Sequence, residues 1–139
     1  MLEAAVHKQA EALAHCVGST TDALVLGGRS MGGRICSQVV AQGLHAAGLV
    51  LVSYPLHPPG RPDRLRTAHF GAIGVPCLFV SGTRDAFGSP DELQQAADLI
   101  PGPVTLAWIE KGDHGLRRHD LTVTRLVTDW LATTFAHGA

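Results

Sequence analysis

The chain has 139 residues, of which 45% are hydrophobic and 17% charged, with a formal net charge of −1. That length suits one domain, and the apolar fraction supports a buried core and excludes wholesale disorder. The balanced charge argues against nucleic acid or an anionic membrane surface as a partner.

Residues 2–16, "LEAAVHKQAEALAHC", predict a helix, with Leu2, Val6, Gln9, Ala10 and Leu13 on one stripe. A turn follows from Gly18 to Asp22. "ALVLG" (23–27) is a continuous apolar run, expected as a strand buried on both faces. "MGGRICSQVVAQ" (31–42) predicts a helix ended by Gly43. "GLVLVSY" (48–54) is a second buried strand. "PLHPPGRPDRLRTAHF" (55–70) is a proline-rich excursion with a short helical piece near its end. It carries Arg61, Arg64 and Arg66, read as a solvated basic cluster. "PCLFVSG" (76–82) is a third strand. "SPDELQQAADLI" (89–100) opens with a helix start: Ser89 as N-cap, Pro90 at N1 and Glu92 at N3. "VTLAWIE" (104–110) is a fourth strand. A last helix runs from about Asp120 to Phe135, with Val123, Leu126, Val127, Trp130, Leu131 and Thr134 at helical spacing.

Strands alternating with helices predict a three-layer α/β/α fold with a mostly parallel sheet, in a single domain over 1–139. Three cysteines, Cys16, Cys36 and Cys77, have no disulfide or metal spacing, and each lies in an apolar segment. The odd count suits a reducing compartment. No basic region followed by an apolar run opens the chain, and no apolar run approaches the roughly 20 residues that span a bilayer. A cytoplasmic protein without a signal peptide is the expectation.

Gly28-Arg29-Ser30-Met31-Gly32 matches G-x-S-x-G between a strand and a helix, the context of a nucleophile elbow. Gly28 and Gly32 are expected because side chains there would clash across a sharp turn. The helix N-terminus then aims N–H groups at a developing oxyanion. The dinucleotide pattern G-x-G-x-x-G fits "GGRSMGG" only loosely, and no acidic residue ends the next strand. A phosphate cradle over Gly27–Gly33 is the weaker reading.

A serine nucleophile needs a base, and the base an orienting acid. "LFVSGTRDAFG" puts Asp85 just beyond the third strand, and "AWIEKGDHG" puts His114 just beyond the fourth. Strand carboxyl ends are where open parallel sheets place their chemistry, and Ser…Asp…His is the chain order of this architecture. Asp113 competes weakly as the acid, since neighbours in sequence rarely face each other. His114, His119, Asp113 and Asp120 have poor spacing for ligands on one helix face, so no metal is expected.

"GGRSMGGR", "VSYPLHPPGRPDRLRTAHF", "FVSGTRDAFG" and "GDHGL" together resemble the α/β-hydrolases, in the dienelactone-hydrolase-like branch that includes testis-expressed protein thirty and its bacterial relatives. The resemblance covers about residues 1–137. It implies Ser30 as nucleophile, His114 as base, Asp85 as acid and the Met31 backbone N–H as one oxyanion donor. It implies a serine esterase acting on a small-molecule acyl substrate, with no cofactor. Members of the family have further strands before the helix at 2–16 and a glycine-rich loop that gives the second oxyanion donor; neither is matched here. Without them "ALVLG" becomes an exposed edge, open to a second copy or to a partner strand at Ala23–Gly27. The alternative function is a non-catalytic scaffold on the same fold, or an inactive fragment of a longer hydrolase.

Overall fold

A computed structural model describes residues 2–136. The elements are α1 (Leu2–Cys16), β1 (Val25–Arg29), α2 (Met31–Ala41), β2 (Gly48–Val52), β3 (Cys77–Gly82), α3 (Pro90–Ala97), β4 (Val104–Ile109) and α4 (Asp120–Thr134), with single 3₁₀ turns at Thr21–Ala23 and Phe70–Ala72. The four strands lie in the order β1-β2-β3-β4, and every pair is parallel. Each crossover therefore carries its chain back across a face of the sheet, and every strand ends at the same edge.

Side-chain alternation sorts the core into two layers. Leu49, Leu51, Cys77 and Phe79 face α2 and α3, where Cys36, Val40, Leu93 and Ala96 meet them. Val50, Val52, Leu78 and Val80 face the other way, against Val123 and Trp130 of α4. β2 and β3 are buried along their whole length, as their apolar runs predict. α1 packs on α2 through Ala10, which joins Ile35, Val39 and Leu44. The result is the three-layer α/β/α arrangement.

Several boundaries and burials differ from expectation. β1 begins two residues later than predicted and runs to Arg29, because Thr21–Ala23 closes into a 3₁₀ turn. It is not buried on both faces. It lies at the sheet edge, with no strand on its outer side among the described residues. Strand burial depends on neighbours across the sheet, which local composition does not encode. The stripe of α1 is only partly used for the same reason: Leu2 and Leu13 stay 53% and 54% exposed. Val6, Gln9 and Leu13 instead line an open apolar groove of about 350 Å³ against Leu24–Leu26. β2 stops at Val52 because Ser53 turns to a φ of 53°. Cys36 and Cys77 are buried, and burial pushes the Cys77 thiol up to about 12, whereas Cys16 is exposed at the end of α1. Thr134 is exposed, at the open end of the α4 face that Leu126 and Trp130 share. Among the described residues no helix is long and apolar enough to cross a membrane.

The expected helix ends are present. Ser89 caps α3: its Oγ accepts from the Glu92 N–H while Glu92 Oε1 accepts from the Ser89 N–H, with Pro90 in the first turn. Gly43 follows α2 with a φ of 117°.

Candidate active site

β1 runs straight into the turn that carries Ser30. The Ser30 N–H continues the ladder by donating to the Val52 carbonyl at 2.8 Å, and α2 starts at the next residue. Ser30 sits at φ 53°, ψ −122°, a backbone state that costs an ordinary residue roughly 1–3 kcal/mol. The turn is tight because two glycines touch. A Cβ on Gly28 would lie 2.5 Å from the Gly32 carbonyl carbon and from the Gly33 nitrogen, and one on Gly33 would lie 2.7 Å from the Gly28 oxygen. Gly32 itself faces open space. The steric demand expected at Gly28 and Gly32 therefore falls on Gly28 and Gly33.

Asp85 and His114 arrive from the ends of β3 and β4. Thr83 N–H donates to the Ile109 carbonyl, Arg84 N–H to the Gly112 carbonyl, and Lys111 N–H to Thr83 Oγ1. These bonds tie the two loops into one piece. His114 Nε2 lies 2.8 Å from Ser30 Oγ. Its Nδ1 lies 2.9 Å from Asp85 Oδ2 and 3.0 Å from Oδ1. Asp85 is an acceptor only when ionised, so Nδ1 carries the proton and Nε2 is left to accept from the serine hydroxyl. The Asp85 side chain is 2% exposed and the His114 side chain 24%. Asp85 is thus shielded while the His114 ring reaches solvent. Asp113 is turned away from the imidazole: its Oδ1 accepts from the Leu116 N–H.

Met31, 56% exposed, occupies the first position of α2. The first N–H groups of a helix have no intrahelical partner, so its amide is a candidate donor beside Ser30.

Two further residues hold this arrangement, and no short-range pattern marks them. Phe87 lays its ring over the His114 imidazole, with centroids 4.0 Å apart, and its N–H donates to Asp85 Oδ1 at 2.8 Å. Arg29, the variable residue of the elbow, donates from Nη1 to the Gly115 carbonyl at 2.8 Å and fastens β1 to the His114 loop. The basic cluster of the long loop splits. Arg61 pairs with Asp63 at the surface, whereas Arg66 is partly buried and braces the loop through Pro55 and Leu56.

A second serine–histidine pair lies elsewhere. Ser37, fully buried, donates to the Arg34 carbonyl and accepts from His69 Nε2 at 2.7 Å. Its hydroxyl proton is committed to the backbone and no solvent reaches it, so it cannot serve as a nucleophile.

The chain matches the family described as Alpha/beta hydrolase domain over residues 1–138. Its fold is similar to that of the monoacylglycerol lipase of Paleococcus ferrophilus (TM-score 0.74, 13% identity, covering 93% of this chain and 74% of the lipase). It is also similar to a thermophilic esterase from Thermogutta terrifontis (TM-score 0.63, 20% identity, 79% of this chain and 65% of the esterase). A third likeness is to a puromycin-hydrolysing peptidase of Mycobacterium tuberculosis (TM-score 0.69, 20% identity, 91% of this chain). The chain spans only 23% of that peptidase's length. At these identities the solved structures speak for the fold, and the family match covers nearly every residue. The chain belongs to the alpha/beta hydrolase domain family.

Proposed function

We propose that this chain carries the catalytic centre of a serine hydrolase that cleaves an ester or related acyl bond in a small molecule. The observation that supports this most directly is the unbroken hydrogen-bond chain Ser30–His114–Asp85, with the serine on a strained turn at the start of a helix.

In this reading His114 Nε2 takes the proton from Ser30 as Oγ bonds to the substrate carbonyl carbon. Asp85 holds the imidazole in the productive tautomer and offsets its charge while it is protonated. The carbonyl oxygen becomes an oxyanion and receives the Met31 N–H. Collapse breaks the bond to the leaving alkoxide, which takes the proton from His114 and departs as alcohol. Water then attacks the acyl-enzyme by the same route, releasing the acid and restoring Ser30. No step draws on a cofactor. That donor, the Met31 N–H, accounts for roughly 3–4 kcal/mol of the stabilisation of the oxyanion.

The test is intact mass after exposure to a fluorophosphonate probe, with Ser30→Ala and His114→Ala alongside. The expected result is one adduct on the wild type, lost in Ser30→Ala and slowed at least a hundredfold in His114→Ala. A folded wild type that takes no adduct would overturn the reading and favour a non-catalytic role.

A further inference from the structure

The segment "YPLHPPG" at 54–60 has no part in the chemistry above, yet it buries a titratable side chain. His57 is 4% exposed. Its Nδ1 lies 2.7 Å from the Pro58 carbonyl oxygen, and its Nε2 lies 3.1 and 3.0 Å from the two carboxylate oxygens of Glu92. A carbonyl and a carboxylate only accept, so both ring nitrogens must donate. A neutral imidazole has one N–H and cannot satisfy both partners.

This pair grips the turn that carries the acid. The His57 backbone N–H donates to the Phe87 carbonyl at 3.0 Å. Glu92 Oε1 accepts from the Ser89 N–H at 2.9 Å. Phe87 is therefore held from the residue itself and from two residues beyond. Between these holds Gly88 passes over Leu56, where a Cβ would come within 3.1 Å. Phe87 in turn donates to Asp85 and covers His114.

Resting on the hydrolase reading, we infer that the ion pair His57–Glu92 is a latch that positions Asp85 and Phe87 against His114 only while His57 is protonated. The Pro58 carbonyl first, and Glu92 from α3 after it, hold the proton on. Burial and the Arg66 guanidinium work against it, and the balance favours the charged ring. Asp63, in the same loop, is held low mainly by its hydrogen bond from Arg61, with the His57 charge the smallest contribution. When the proton leaves as pH rises, one nitrogen lone pair faces an acceptor and the grip on the turn weakens. Both residues act through Asp85 and Phe87, so they are positioning residues. The device predicts an alkaline limit on reactivity that the triad alone does not supply.

The test combines imidazole NMR titration of the full chain with the pH profile of fluorophosphonate inactivation, for wild type, Glu92→Gln and His57→Gln. Glu92→Gln keeps an oxygen for the Ser89 cap and removes the charge. The expected result has three parts. His57 is doubly protonated at pH 7. Its titration midpoint coincides with a change in the His114 ring resonances, as the Phe87 ring shifts, and with an alkaline fall in inactivation rate. Glu92→Gln lowers that midpoint by about one pH unit and moves the alkaline limb with it. His57→Gln slows the maximal inactivation rate about tenfold without weakening reversible probe binding, and it abolishes the limb. A neutral His57 at pH 7 would overturn the latch, as would an unmoved alkaline limb in Glu92→Gln. Should the wild type take no probe, the hydrolase reading fails by itself. The latch then stands or falls on whether the His114 resonances follow His57.

Discussion

Gly82 and Gly112 touch backbone to backbone: a Cβ added to Gly82 would fall on the carbonyl oxygen of Gly112. This contact lets the β3–α3 and β4–α4 loops lie side by side. Asp85 and His114 come within hydrogen-bond reach because the two chains that carry them can approach this closely.

Gly82→Ala should therefore act on both stability and the site. The obstructing atoms are backbone, which cannot rotate aside, so the cost belongs at the upper end of overpacking, about 3 kcal/mol. A thermal melt should show a midpoint lower by about 10 °C. The probe reaction should slow even well below that midpoint. A variant that melts with the wild type would show that the loops do not meet at these glycines.

The elbow makes a sharper distinction. Gly32→Ala adds a methyl to open space in the first turn of α2 and should be neutral or stabilising by up to about 1 kcal/mol. Gly28→Ala and Gly33→Ala push a methyl into facing backbone and should each cost about 3 kcal/mol. Denaturant midpoints of the three variants measure this directly. Equal losses at Gly28 and Gly32, with Gly33 tolerant, would restore the simple motif reading.

That contrast marks how far local pattern reaches. The apolar runs of β2 and β3, the Ser89–Glu92 box of α3 and the stripe of α4 are local signals, and each forms the expected element, with β2 ending two residues early and β3 starting one residue late. Ser30, Asp85 and His114 were legible because each sits just beyond a strand, and parallel strands deliver their ends to one edge. Whether they catalyse is a separate matter for the probe. The burial of β1 cannot be read from "ALVLG" alone, because it is set by what flanks the strand in the sheet; its edge position agrees with the expectation for this run without further strands beside it. Gly33, Arg29 and Phe87 were missed because their roles are contacts across the fold; Arg29 meets Gly115 across 86 residues of sequence. The close approach of Gly82, at the end of β3, to Gly112, beyond β4, is likewise a contact across the fold that no local pattern marks.

Arg29 gives a test of the tether on His114. Removing a charged donor from a carbonyl costs about 1 kcal/mol for a half-exposed side chain. Arg29→Ala should slow the probe reaction about fivefold and leave the fold intact by circular dichroism. Asp120→Asn is the control. Its carboxylate lies 3.8 Å from Arg29 Nη2 and is 86% exposed, so solvent screens the pair and the rate should hardly change. A loss in Asp120→Asn as large as in Arg29→Ala would assign the tether to charge rather than to the Gly115 bond.

His57, buried, and His69, half-buried, should shape stability in opposite senses. Burial, helped by the Arg34 guanidinium, pulls His69 below its ordinary value, because a proton there would place a second cation beside Arg34. The unfolded chain accepts that proton first as pH falls through about 6.5, so His69 removes stability on the acid side. His57 is raised, so its contribution is complete below about 6.5 and is lost as pH climbs through its folded value. Urea midpoints at pH 5.5 and 7.5 separate the two. His69→Gln keeps a donor for Ser37 and cannot titrate, so it should lose less stability than the wild type on going to pH 5.5. His57→Gln should lose more over the same interval, because a group that gains from acid has been removed. Both variants following the wild-type slope would mean that neither ring titrates differently on folding, and the neutral Ser37–His69 pair and the charged His57–Glu92 pair would lose their shared physical basis.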